Sequence, residues 1–189
     1  AHNDLKMRRG VKLSEEQLEA INISLSKGVS VITGGPGTGK TTMVLGLVRA
    51  IKSLNLNVTL CAPTGKAAKR LGEATGLQKF NPSTVHRYLV NLNSFDVLIV
   101  DEASMLDIGL FQMVLETIPD GKQLVLIGDK DQLQPVGSGQ PFKDIIEFLG
   151  WHNDPTGVTG QSNVDGNVKG IISAAYAIKS GRLPDSDFS

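Results

Sequence analysis

Four short apolar runs set the frame of this chain: Val29–Thr33, Val58–Ala62, Val97–Val100 and Leu124–Ile127. Each is continuous rather than alternating, the pattern of a strand covered on both faces. Between the runs the period changes to that of a helix, with Met43, Val44, Leu47, Val48 and Ile51 on one stripe and Leu106, Leu110, Phe111, Val114 and Leu115 on another. Phe142, Ile145, Ile146 and Leu149 form a third. Buried strands alternating with amphipathic helices require right-handed crossovers, so the expected fold is α/β, a parallel sheet between two helical layers. Ahead of the first strand, Ser14 followed three residues later by Gln17 makes a capping box that starts a helix bearing Leu18, Ile21 and Leu25.

At 189 residues the chain suits one domain of ordinary size. No run reaches the roughly 18 to 20 apolar residues of a membrane span, so no membrane association is expected. The single cysteine, Cys61, lies in an apolar run and reads as a small buried hydrophobe, which suits a reducing cytoplasm. Net charge is zero, which gives no general licence for nucleic acid, but the distribution is uneven. Residues 62–94 carry five cations (Lys66, Lys69, Arg70, Lys79, Arg87) and one anion, whereas residues 95–120 carry six anions and no cation. A split of this kind separates a phosphate-facing surface from a metal-holding one, although solvated faces produce it as well.

Ligands of an open parallel sheet bind beyond the carboxyl ends of its strands, and here all four ends carry polar chemistry. After the first comes Gly34-Gly35-Pro36-Gly37-Thr38-Gly39-Lys40-Thr41, the pattern of a phosphate-binding loop between strand and helix. Glycines let successive amides curl around a polyphosphate, and the helix N-terminus adds its positive end. Lys40 reaches the β and γ phosphates, and the Thr41 hydroxyl ligates Mg²⁺. The nucleotide set is then Gly35, Gly37, Thr38, Gly39, Lys40, Thr41 and Thr42. After the third strand come Asp101 and Glu102, one to hold the magnesium shell and one to polarise an attacking water. A carboxylate poised on water argues for hydrolysis and against a small-molecule kinase, which must keep water out.

These segments together resemble the first RecA-like motor domain of a superfamily 1 helicase of the RecD type. The resemblance runs from about Leu13 to Asp144 and resumes near Ile171 to Pro184. Leu13-Ser14-Glu15-Glu16-Gln17 resembles the family's adenine-reading segment, which implies paired hydrogen bonds from Gln17 to the base. Ala62-Pro63-Thr64-Gly65-Lys66-Ala67-Ala68 and Ser83-Thr84-Val85-His86-Arg87 resemble segments that contact single-stranded DNA. Gly128-Asp129-Lys130-Asp131-Gln132-Leu133-Gln134-Pro135-Val136 resembles the segment coupling γ-phosphate to the DNA track, with Gln134 as its sensor. The resemblance implies an ATP-dependent DNA helicase that travels 5′ to 3′ and uses ATP and Mg²⁺, with Lys40, Glu102 and Gln134 as its catalytic set.

The DNA residues implied are Pro63, Thr64, Lys66, Lys69, Thr84 and His86. Hydroxyl, amide and ammonium donors at a strand end and the first turns of a helix hold a sugar-phosphate backbone without reading sequence. Lys69 and Arg70 equally fit a solvated helix face opposite Ala67, Ala68 and Leu71. His86 reads as a polar contact to DNA or a structural histidine rather than a metal ligand, because no Cys or His stands at ligand spacing. Trp151 fits a core cap better than a stacking platform.

The expected organisation is a RecA-like domain over residues 1–150, a loop of uncertain status over 151–170, and a closing helix over 171–189 that leads toward a second motor domain. The loop departs from the family: no arginine occurs between Trp151 and Asn167, where one is expected to approach the γ-phosphate. A non-catalytic module that binds nucleotide or single-stranded DNA is the alternative reading.

Overall fold

The computed structural model describes residues 13–133, 135–148 and 158–159. Its strands are β1 (Val29–Thr33), β2 (Val58–Ala62), β3 (Ser83–Thr84), β4 (Val97–Val100), β5 (Gln123–Gly128) and β6 (Val158–Thr159), and its helices α1 (Glu15–Ser26), α2 (Lys40–Ser53), α3 (Gly65–Thr75), α4 (Val85–Val90), α5 (Ile108–Glu116) and α6 (Pro141–Phe148). The sheet order is β3-β2-β4-β5-β1-β6. The first five strands in that order run parallel, while β6 lies antiparallel on β1 with Val158 opposite Ile32 and Thr159 opposite Val31.

The continuous apolar runs have a direct explanation in the packing. Successive strand side chains point to opposite faces. Ile32, Leu60, Ile99, Val125 and Ile127 meet Ile21, Val44, Leu47, Ile51 and Leu71 from α1, α2 and α3 on one face. Val31, Cys61, Leu98, Val100 and Leu126 meet Tyr88, Phe111, Leu115, Phe142 and Ile146 from α4, α5 and α6 on the other. Both faces are core, so every position of β4 is buried. This is the expected three-layer α/β architecture.

The structure adds features that the sequence pattern does not show, one of them β6, an antiparallel edge strand within the 151–170 stretch expected as a loop. Ser83 and Thr84, read in sequence only as part of a DNA-contacting segment, also form an edge strand on Cys61 and Ala62. Two residues carry no period, which is why the strand left no trace in the pattern. Helix α5 starts at Ile108 rather than at Leu106, because the Asp107 carboxylate accepts from the Leu110 amide at 2.8 Å and caps it there. Leu106 is nevertheless fully buried.

The capping box of α1 forms as expected. The Gln17 amide N–H donates to the Ser14 hydroxyl at 3.2 Å, and the Ser14 amide N–H donates to Gln17 Oε1 at 3.1 Å.

Candidate nucleotide site and nucleic-acid groove

Parallel register brings the carboxyl ends of β1, β4 and β5 level. The Gly34 amide donates to the Gly128 carbonyl at 3.2 Å, and the Asp101 amide to the Cys61 carbonyl at 2.9 Å, so the polar segments leave the sheet side by side. They enclose a cleft of about 470 Å³ into which Lys40, Thr41, Asp101, Glu102, Asp129 and Gln132 converge with the loop glycines.

Gly37 and Gly39 both sit at φ +80°, where a side chain would be strained. At Gly39 an added Cβ would also meet Gln17 Nε2 at 2.6 Å and push that amide off the loop. Gly39 is the N-cap of α2 and no side chain caps that helix, which leaves its first amides for an anion. Lys40 Nζ donates to the carbonyls of Gly34 and Gly35, the latter at 3.0 Å, and the Thr38 hydroxyl donates to the Gly35 carbonyl at 2.9 Å. The lysine thus folds back on its own loop, with backbone oxygens holding the ammonium where phosphate oxygens would.

Burial raises the Asp101 carboxyl above the usual range, while the Glu102 amide, donating to Asp101 Oδ1 at 2.9 Å, pulls it back. Glu102 itself has φ +53°, a left-handed conformation uncommon for a side-chain-bearing residue. Its carboxylate pairs with Arg70 of α3. Among the described residues no group of three or more His, Cys, Asp and Glu side chains could hold a metal by itself. Thr41 with a single carboxylate suits Mg²⁺, which keeps its waters and takes its remaining ligands from substrate phosphates.

Of the nucleotide residues expected from sequence, Gly35, Gly37, Thr38, Gly39, Lys40, Thr41, Asp101 and Glu102 line this cleft, and Thr42 does not. Gln17 reaches the loop from outside, its Nε2 donating to the Thr38 and Gly39 carbonyls at 3.4 Å each. Gln134 and Trp151 lie outside the described residues, as do the closing helix expected over 171–189 and, apart from Val158 and Thr159, the stretch expected to hold an arginine. The amide that lines the cleft is Gln132, accepting from the Ser104 hydroxyl at 2.7 Å. It was not singled out in the sequence, and it stands two positions before Gln134 in the same segment.

A second groove opens on the other flank of α3, lined among others by Lys69, Gln78, Asn81, Ser83, Thr84 and Arg87. Lys69 and Thr84 were expected in such a place; Pro63, Thr64, Lys66 and His86 are not part of its lining. Thr64 and Thr84 serve as N-caps of α3 and α4, accepting from the Ala67 and Arg87 amides at 3.2 and 3.1 Å. Lys66 and His86 are exposed.

Comparison with known proteins agrees with this geometry. The family described as an AAA domain matches residues 12–163. An ATP-dependent RecD2 DNA helicase of Deinococcus radiodurans is 39% identical over 95% of this chain and 25% of its own length. The chain belongs to the AAA-domain family, as a RecD-type motor domain. The RecD subunit of the RecBCD enzyme of Mycolicibacterium smegmatis is 36% identical over 72% of this chain and 31% of its own length. The crystal structure of Pif1 helicase from Candida albicans superposes with a TM-score of 0.53 at 26% identity, covering 68% of this chain and 35% of that one. The RecD-type domain therefore spans about a quarter to a third of the relatives it matches. Among the described residues, no helix is long and apolar enough to cross a membrane.

Proposed function

We propose that this RecD-type domain is the ATP-hydrolysing motor of a 5′ to 3′ DNA helicase that tracks single-stranded DNA and works with a second motor domain of the same parent chain. The observation that carries the reading is the convergence of Lys40, Asp101 and Glu102 in one cleft at the ends of three neighbouring parallel strands. The 5′ to 3′ polarity follows from the RecD-type relationship. A cytoplasmic location accords with a DNA substrate and with the reduced thiol of Cys61.

Lys40 leaves the loop carbonyls for the β and γ phosphates, while the loop amides and the start of α2 hold the remaining oxygens. Thr41 and Asp101 would hold Mg²⁺, which supplies neutralisation of phosphate charge. Glu102 accepts a proton as water attacks the γ-phosphorus and the bond to ADP breaks. Gln17 contributes adenine selectivity, and an amide of the 128–136 segment, Gln132 or Gln134, senses the γ-phosphate. Lys69, Thr84 and Arg87 offer the DNA backbone its donors along the second groove, helped by Pro63, Thr64, Lys66 and His86 at its approaches.

Turnover of ATP by the full-length protein, measured with and without single-stranded DNA, tests the proposal. Wild-type turnover should rise with DNA. Glu102→Gln should retain nucleotide binding and lose about 10²- to 10⁴-fold in rate, the usual contribution of a positioned base. Near-wild-type turnover in that variant would assign the base elsewhere.

A further inference from the structure

Helix α3 stands between the two clefts. Ala67, Ala68 and Leu71 anchor it in the core, Lys69 lines the groove on one flank, and Arg70 lines the phosphate cleft on the other. From there the Arg70 guanidinium pairs with Glu102 Oε1, joining residues 32 positions apart in sequence. The carboxylate end of the pair is the sheltered one: the Glu102 side chain is 18% exposed and that of Arg70 is 71% exposed.

We propose that Arg70 is a positioning residue for Glu102, through which the helix that faces DNA sets the orientation of the carboxylate that activates water. The inference rests on Glu102 being the base. Glu102 is held at its main chain by a left-handed turn and by the hydrogen bond its amide N–H donates to Asp101 Oδ1, so its freedom is confined to the side chain. Arg70 removes that freedom by taking one carboxylate oxygen and leaves the other for water. Such restraint keeps a base in near-attack geometry, where small displacements cost a large factor in rate. A guanidinium suits the task, since its planar fork fixes direction as well as charge. Lys69, the adjacent residue of the same helix, lines the groove, so any shift of α3 on DNA binding would move Arg70 with it.

The test compares Arg70→Ala and Arg70→Lys with wild type in the full-length protein. An ion pair this exposed contributes little to stability, and both variants should fold. In Arg70→Ala, kcat at saturating single-stranded DNA should fall about ten- to a hundred-fold, the scale of a misplaced reacting group. KM for ATP and the affinity for a fluorescent ATP analogue should stay within about two-fold, the mark of an interaction that acts on the transition state alone. Arg70→Lys should recover part of the loss. Unchanged kcat in Arg70→Ala would overturn the proposal, and so would a parallel loss of analogue affinity, which would make Arg70 a phosphate ligand. A rise in DNA-independent turnover would overturn it too, because the pair would then restrain Glu102 rather than orient it. Wild-type-like turnover in Glu102→Gln would instead remove the underlying reading, whatever Arg70 does.

Discussion

Single residues here answer to more than one demand. Gln17 closes the capping box of α1 through its oxygen and braces the phosphate loop through its nitrogen, so the adenine recognition proposed for it would compete with bonds already made. Gln17→Ala should therefore lower affinity for ATP and GTP alike through the loosened loop, and also abolish the preference for ATP. Titration of both nucleotides checks this, and a preserved preference would place base recognition elsewhere. Cys61 shows the opposite case, a reactive group with no task. Full burial pushes its thiol up to about 12, which leaves almost no thiolate at neutral pH. A maleimide or disulfide reagent should leave the native protein unlabelled for as long as it stays folded and react rapidly once denaturant is added; fast native labelling would contradict the packing of β2.

At the scale of elements, the parallel sheet is locked at its amino edge as well as its carboxyl edge. Just before β4, the Asp96 carboxylate accepts from the Asn57 amide at 2.7 Å and from Lys122 Nζ at 2.9 Å, linking the starts of β2, β4 and β5. The Asn57 hydrogen bond, then Lys122, holds this carboxyl below its ordinary value. A lowered folded-state value stabilises the fold above the unfolded carboxyl's pKa of about 3.9 and loses that contribution as pH falls through the folded value. Asp96→Ala should accordingly lower the melting temperature most near neutral pH, with the gap to wild type narrowing below about pH 4. A gap independent of pH would mean the carboxylate charge contributes nothing. Elements were legible in proportion to their length and period. The four central strands and helices α2, α5 and α6 could be read from runs of apolar residues, and α1 from Ser14 and Gln17. The β3 edge strand could not, being two residues paired only through the tertiary register. Leu106, on the apolar stripe in sequence, lies outside α5 because the helix begins only after the Asp107 cap.

For the molecule as a whole, two helical layers on one parallel sheet leave the functional segments nowhere to go but the carboxyl edge. The phosphate cleft was therefore readable from local sequence, since each of its parts directly follows a strand. The Arg70–Glu102 pair was not, because it depends on where the crossover after β2 sets α3 against the end of β4. Nor was the place of Gln132 in the cleft, where its side chain accepts from the Ser104 hydroxyl of another loop. The central claim is that this edge binds ATP through Lys40, the lysine that in the structure rests on the Gly34 and Gly35 carbonyls. The most direct measurement is titration of a fluorescent ATP analogue with Mg²⁺ into wild type and Lys40→Ala. Loss of charged hydrogen bonds to phosphate should weaken binding about 10- to 100-fold in the variant, with the fold intact by circular dichroism. Equal affinity in the two proteins would contradict the account and place the nucleotide somewhere other than this cleft.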